Sequence, residues 1–197
     1  SCKGIFMIDA SGGYMKDGPK NRLRAQDIHK IVDAFARQDD SEPKYARMVS
    51  RAEIEKNEFN LNLPRYIDSQ VPEDRQDIEG HLKGGIPVAD VEALKSYWDI
   101  CPSLNTTLFK KNRPGYLNLA VEKSAIKPAI YEHPEFAAFI AGMNTHFAAW
   151  RTKAAKTLKA LKAGIHPKEV IAALSEDLLA HYTDKPLIDK YDVYQHL

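Results

Sequence analysis

The residues able to act as nucleophiles, general bases or metal ligands are scattered along this chain of 197 residues. Its seven histidines include no pair at the HExxH spacing, and Cys2 and Cys101 lie far apart, so no metal site is expected. Ser11-Gly12-Gly13 does not match the G-x-S-x-G turn of serine hydrolases. Asp9 follows an apolar run and is a candidate catalytic acid at a strand end. An Asp before Ser-Gly is more typical of a turn, which we favour.

The largest local charge asymmetry lies between Glu135 and Glu169, where the sequence contains no acidic residue. The basic residues there are Arg151, Lys153, Lys156, Lys159, Lys162 and Lys168. Such a cluster predicts contact with DNA phosphates, where each contact adds salt-dependent affinity. The alternative is a solvated helix face, which is the commoner role of a charge run.

A second candidate for DNA contact is Asn60-Leu61-Asn62 followed by Arg65-Tyr66. Asn and Arg side chains read bases and phosphates, so we select Asn62 and Arg65 as possible contacts. In the alternative interpretation the asparagines satisfy turn hydrogen bonds while the leucines pack.

Composition limits the class of protein. A chain of this length with 44% hydrophobic residues forms one domain or two small ones. Because the net charge is only +1, any DNA-binding surface must come from local clustering. The cysteine usage favours a reducing compartment. The longest apolar run, Ile5-Phe6-Met7-Ile8, is too short to cross a bilayer, so we predict a cytoplasmic protein without membrane contact.

The first half of the chain predicts alternating strands and helices. Gly4 to Ala10 predicts a central strand buried on both faces. A chain that opens in such a strand leads us to expect preceding sequence, and to expect the strand to be exposed, re-paired between copies or poorly ordered. Gln26 to Ala36 predicts an amphipathic helix that buries the apolar side chains Ile28, Ile31, Val32 and Phe35. A short strand is predicted at Tyr45 to Val49.

Ser50 and Glu53 have the spacing of a capping box, which predicts a short helix ending near Asn57. Residues 59–63 then alternate as an extended segment up to Pro64. Gln70 to Asp77 is interpreted as a linker. A helix is predicted from Pro87 to about Ile100, and residues 103–131 are predicted to be irregular, with short strands at 107–109 and 116–121.

From His133 onward the sequence has the pattern of a coiled-coil-like hairpin over about 133–182. Apolar residues at heptad spacing form a seam, namely Phe136, Ile140, Met143, Phe147 and Trp150. Gly164 ends the first helix and Pro167 begins the second. The seam is predicted either to pack inside this chain or to dock on a helix of a partner protein.

Glu53 to Tyr66 reads EIEKNEFNLNLPRY, and this segment resembles a signature of one protein family. The family is the modification subunit of type I restriction-modification systems, which are DNA adenine methyltransferases. Four further segments resemble the family in the same order, beginning at Ile8, Gly80, His133 and Lys185. The resemblance covers nearly the whole chain and corresponds to the C-terminal part of the subunit.

The resemblance implies a parent protein that binds S-adenosylmethionine in a Rossmann-like domain and methylates adenine N6 in double-stranded DNA. It also implies specificity and restriction subunits as partners. Such enzymes use a glycine-rich turn for the cofactor and an Asn/Asp-Pro-Pro-aromatic tetrapeptide for the flipped base. This chain contains no G-x-G and no Pro-Pro, so no catalytic, cofactor-binding or metal residue is carried over, and no cofactor is expected in this chain.

The predicted fold is mainly α with a few β-strands. Residues 1–75 are predicted to be the remnant of a Rossmann-like methyltransferase sheet, and residues 80–197 a helical extension. The predicted role is subunit assembly and contact along the DNA path, with the isolated chain inactive as a methyltransferase. The alternative is a helical protein-interaction or DNA-binding module without a methyltransferase role.

Overall fold

The computed structural model describes residues 4–68 and 77–196, which fall into two compact units. The first unit contains Ser1–Glu73, Ser175–Thr183 and Ile188–Leu197, and the second contains Asp74–Leu174 and Asp184–Leu187. The sequence-based division into 1–75 and 80–197 stays a prediction. The linker predicted at Gln70 to Asp77 lies almost wholly outside the described residues.

In the first unit the elements are β1 (Gly4–Ile8), β2 (Met15–Asp17), β3 (Lys20–Arg22), α1 (Ala25–Arg37), β4 (Ala46–Ser50), α2 (Arg51–Lys56) and α10 (Lys190–Tyr194). The second unit contains α3 (Ile78–Lys83), β5 (Ile86–Pro87), α4 (Val88–Glu92), α5 (Lys95–Trp98), α6 (Pro102–Leu108), β6 (Phe109–Lys111), β7 (Tyr116–Leu119), α7 (Ile126–Tyr131) and α8 (Pro134–Lys159). Helix α9 (Pro167–His181) is divided between the units after Leu174.

Strand β1 does not have the two-sided burial predicted for it. It pairs antiparallel with β4, in the register Gly4↔Ser50 to Ile8↔Ala46. Met7 is buried, whereas Ile5 on the same face is exposed, and Phe6 and Ile8 on the other face are half-buried. The strand therefore has an in-chain partner on one edge, and Met7 contributes to the core of the first unit. That core contains Met7, Val49, Ile54, Tyr66 and Ile67.

Helix α1 forms within one residue of its predicted bounds, but its predicted apolar face is wrong. Ile28, Val32 and Phe35 are exposed, while Asp27 and Ala34 are buried. Asp27 and Ala34 are two turns apart and share one side of the helix. The side of α1 that carries Asp27 and Ala34 therefore packs inward, and the side that carries the bulkier apolar residues does not.

In the second unit, the region predicted to be one helix followed by irregular chain is a series of short elements. Pro102 does not end a helix but begins α6, and the predicted helix is split into α4 and α5. β5, β7 and β6 form an antiparallel sheet in that order. Buried Cys101, Leu104 and Leu108 form the core of this unit, with Trp98 and Phe136 packed against it.

Helix α8 begins as predicted, with His133 at its N-cap, and Pro167 begins α9. The first helix ends at Lys159, several residues before Gly164, although Gly164 does adopt a positive φ of 93°. The mainly helical α+β class is confirmed. The described sheets are all antiparallel, and the Rossmann-like part of the prediction stays a prediction.

Candidate functional site

The segment 53–66 begins with a capped helix and continues into a loop. The Ser50 hydroxyl accepts a hydrogen bond from the Glu53 backbone N–H at 3.2 Å, as predicted. The Glu53 carboxylate does not complete the capping box, because it accepts from Arg47 at 2.7 Å instead. After α2 the chain turns through Glu58 and Phe59, both in the left-handed region with φ of 56° and 57°. Two consecutive non-glycine residues there cost about 1–2 kcal/mol each.

Tyr66 fixes the end of this loop. Its ring is buried in the core of the first unit, and its hydroxyl donates to the Asn60 carbonyl at 2.6 Å. Arg47 donates to the Tyr66 carbonyl at 2.8 Å and so joins the loop to the start of α2, since it also binds Glu53. The Asn60 side chain accepts from the Asn62 backbone N–H at 2.9 Å. Asn60 and Tyr66 therefore shape the loop.

The same loop presents other side chains to solvent. Asn62 and Arg65 are exposed, so their side chains are available to a ligand. Phe59 and Leu61 are also exposed, Phe59 by 66%. An exposed aromatic ring on a backbone held by Tyr66 is able to stack on a base or pack on a protein surface. The sequence analysis missed Phe59, because its alternation with Leu61 and Leu63 predicted an extended segment rather than a turn.

A polar pocket of about 350 Å³ lies where β1 ends and α1 begins. Asp9 lines it and forms the predicted turn, accepting from the Ser11 backbone N–H at 3.0 Å. Arg24 and Asp27 form a bidentate pair with N–O distances of 2.9 Å, and hydrogen bonding from Arg24 lowers the pKa of the Asp27 carboxyl. Tyr45 also lines the pocket, where burial, Glu42 and Asp27 raise its pKa to about 12. Since Arg24 and Asp27 bind each other, this pair has a structural role.

His29 joins α1 to the last part of the chain. Its Nε2 lies 2.8 Å from a Glu176 carboxylate oxygen, and its Nδ1 lies 3.4 Å from Asp33. Tyr191 donates its hydroxyl hydrogen to Asp33 at 3.0 Å, and burial together with this carboxylate raises the pKa of Tyr191. The Tyr194 ring packs edge-on against His29 at 4.7 Å. These contacts hold α10 and the end of α9 against α1.

The basic residues of α8 lie on one side of the helix. At 3.6 residues per turn, Lys156 and Lys159 project roughly opposite the apolar seam, and Lys153 lies at the flank of the helix beside them. Arg151 lies between the two faces, and Lys162 follows the helix. All five of these side chains are exposed. Among the described residues, Arg151, Lys156, Lys159 and Lys162 form no ion pair, so their charge is not neutralised within this part of the chain.

The apolar seam divides into buried and exposed members. Phe136 packs against the core of the second unit and contacts the Tyr131 ring edge-on at 5.5 Å. Trp150 is buried and stacks on Phe147 at 5.8 Å. Ile140 and Phe147 remain exposed, while Met143 is half-buried. A partner helix would therefore contact Ile140 and Phe147, whereas Phe136 and Trp150 already pack within the chain.

The structure groups the candidate DNA contacts into two sets. Asn62 and Arg65 belong to the first unit, and the basic face of α8 belongs to the second.

Within residues 4–68 and 77–196, no group of histidine, cysteine, aspartate or glutamate side chains is arranged to hold a metal ion. Among the same residues, no helix is long and apolar enough to cross a membrane.

Comparison with known proteins gives a match over the first part of the chain. Residues 1–75 match the family model of the N-6 DNA methylases. A curated relative from Mycoplasma pneumoniae, the type I restriction enzyme MpnII methylase subunit, is 32% identical over 75 residues. That alignment covers 38% of this chain and 14% of the relative. No solved structure matches the chain.

The matched residues contain β1, α1, β4, α2 and the loop that Tyr66 fixes, which includes the segment that first indicated the family. Over residues 1–75, this chain is similar to the N-6 DNA methylases and to a type I methylase subunit.

Proposed function

We propose that this chain is part of the modification subunit of a type I restriction-modification system, and that the whole protein methylates adenine N6 in DNA. The match of residues 1–75 to the N-6 DNA methylases, together with a relative that is a type I methylase subunit, carries this proposal. The whole protein would use S-adenosylmethionine. The chain spans about 14% of that relative's length. Because the sequence contains no G-x-G and no Pro-Pro, we assign the methyl-transfer site to the rest of the protein.

The part of the protein described by this structure contacts DNA phosphates and a partner subunit. On the basic face of α8, Lys156 and Lys159 form no ion pair among the described residues, and this supports phosphate contact because their positive charge is uncompensated there. The exposed members of the seam, Ile140 and Phe147, support docking of a helix from the specificity subunit. The restriction subunit is a further partner of the same assembly. We place this assembly in the cytoplasm, where DNA and reduced cysteines occur together.

Charge reversal tests the DNA contact. The test variant changes Lys153, Lys156, Lys159 and Lys162 to Glu, and the control variant changes Lys110, Lys111, Lys123 and Lys127 to Glu. All eight lysines are exposed and both variants have the same net charge, so they differ only in where the charge is changed. Binding to duplex DNA is measured by fluorescence anisotropy over a series of salt concentrations.

If the basic face binds phosphates, the test variant loses affinity and its salt slope falls by up to about four, whereas the control keeps the slope of the original chain. Equal losses in both variants would show that only net charge matters. If the original chain does not bind DNA, or if its binding does not depend on salt, the proposed contact along the DNA path is rejected.

Co-elution with the specificity subunit tests docking. Ile140→Glu and Phe147→Glu are expected to abolish a complex that the original chain forms. A complex unaffected by both changes would place docking elsewhere. If the chain binds DNA through α8 but binds no specificity subunit, the alternative of a DNA-binding module without a methyltransferase role is favoured.

A further inference from the structure

The exposed face of α1 carries an apolar stripe without a partner among the described residues. Ile28, Val32 and Phe35 are 51%, 57% and 64% exposed, and their spacing of four and three residues places them along one side of the helix. The stripe runs over the eight residues 28–35, so its ends are roughly 10 Å apart along the helix axis. Three large apolar side chains aligned in this way mark an interaction surface.

A groove of about 520 Å³ lies beside this stripe. Its lining consists of Ala25, Ile28, His29, Val32, Asp33, Glu176 and Tyr194. The apolar residues of α1 form one wall, and Tyr194 and Glu176 form the other. The two walls are joined by the hydrogen bond of His29 to Glu176 at 2.8 Å and by that of Tyr191 to Asp33 at 3.0 Å. The groove is therefore preformed, which lowers the entropic cost of binding.

The charge of the groove defines its occupant. In the part of the chain that the structure describes, the lining includes two carboxylates, Asp33 and Glu176, and no lysine or arginine. Asp33 is engaged by the Tyr191 hydroxyl and by Arg37, whose guanidinium lies 3.6 Å away. The side chain of Glu176 is 57% exposed and accepts one hydrogen bond from His29, so it has room for a second donor. An acidic rim beside an apolar stripe favours a partner that has apolar side chains opposite the stripe and a basic side chain opposite the rim.

We propose that this face of α1 binds an amphipathic helix of a partner protein that presents an apolar ridge flanked by lysine or arginine. The ridge packs along Ile28, Val32 and Phe35, as in other helix-in-groove complexes. A basic side chain of the partner binds Glu176 at the rim, and this ion pair sets the orientation of the helix rather than most of the affinity. This surface belongs to the first unit, whereas the basic face and the seam of α8 belong to the second.

Two synthetic helical peptides provide the probes. Both have leucines at the a and d positions, and one has lysines at the flanking positions where the other has glutamates. Their binding to the full chain is followed by fluorescence anisotropy. The lysine peptide is expected to bind, and the glutamate peptide is expected to bind at least about tenfold more weakly, because it places carboxylates opposite Glu176.

Variants of the chain locate the site. Val32→Glu is expected to weaken binding of the lysine peptide by about tenfold or more, since it puts a charge in the middle of the stripe. Glu176→Lys is expected to weaken binding about fivefold, the upper end for an exposed ion pair. Leu82→Glu, at an exposed leucine of α3, serves as the control and leaves binding unchanged. Helix content is checked by circular dichroism for each variant.

Several results would overturn the proposal. One is equal binding of the two peptides, which would show hydrophobic adhesion without charge selection. Another is binding that Val32→Glu leaves intact. A third is the absence of binding by either peptide. If the chain self-associates and Val32→Glu abolishes this self-association, a second copy of the chain occupies the surface. That result would likewise reject the proposal.

Discussion

Within the family signature, the structure separates a residue that holds the fold from one that faces solvent, and this difference is measurable. Tyr66 is 3% exposed and packs with Met7, Val49 and Ile54. Tyr66→Ala removes an aromatic ring from this core, which costs about 3–5 kcal/mol. It also removes the 2.6 Å hydrogen bond to the Asn60 carbonyl, which contributes about 1 kcal/mol. Small domains have unfolding free energies of about 5–15 kcal/mol. The combined loss from the ring and the hydrogen bond is comparable with the lower end of this range, so we expect the first unit of Tyr66→Ala to be close to unfolded.

Phe59 provides the matched control, because it is an aromatic residue of the same signature that is 66% exposed. Phe59→Ala is expected to change the free energy of unfolding by no more than about 0.5 kcal/mol. Tyr66→Phe keeps the ring and removes only the hydroxyl, so it isolates the hydrogen bond at about 1 kcal/mol.

Urea denaturation followed by circular dichroism measures all three variants, with the transition midpoints compared at a common slope. The expected order of destabilisation is Tyr66→Ala, then Tyr66→Phe, then Phe59→Ala. If Phe59→Ala and Tyr66→Ala destabilised the chain equally, our assignment of Tyr66 to the core and Phe59 to the surface would be refuted.

Gly142→Ala, in α8 with open space around it, is expected to stabilise the chain by up to about 1 kcal/mol in thermal or urea unfolding. Gly85→Ala is expected to destabilise it by about 1–3 kcal/mol, because Gly85 has a φ of 101° and a Cβ there would lie 3.2 Å from the Arg113 guanidinium. Asp27 has a folded-state pKa below its ordinary value because Arg24 donates to it, so its contribution to stability is present above about pH 4 and is lost as the pH falls through the folded-state pKa. Acid titration of the unfolding free energy is expected to show this loss in the original chain and not in Asp27→Asn.

Gly142→Ala and Gly85→Ala add the same methyl group, so we expect their changes in unfolding free energy to have opposite signs because the two backbone positions differ. Destabilisation by Gly142→Ala would mean that α8 is packed there. An unchanged acid dependence in Asp27→Asn would assign the loss to other carboxylates.

Helix α1 shows how far periodicity predicts a structure. The apolar spacing gave the helix and its bounds to within one residue, because local hydrogen bonding and side-chain pattern determine where a helix forms. The same spacing assigned the wrong buried face. Burial is decided by what lies opposite the helix, and in the folded chain Asp27 and Ala34 are buried whereas Val32 is exposed.

The region from Ile86 to Tyr131 was predicted least well. Its helices have four to seven residues, too short for a 3.6-residue period to be recognised. Pro102 illustrates the ambiguity, since proline ends one helix and is equally suited to the first turn of the next. Trp98 adds a contact that sequence cannot specify, with its indole N–H donating to the Val91 carbonyl at 2.6 Å.

The sequence by itself determined the helical character of the C-terminal half, the start of α8 at Pro134, the Ser50 cap and the similarity of residues 1–75 to the N-6 DNA methylases, because each depends on residues that are close in the chain or on a contiguous motif. Only the tertiary structure decided the antiparallel partner of β1, the exposure of Phe59 and the groove beside α1. These features arise from contacts between distant residues, such as His29 with Glu176, whose pairing no local pattern records.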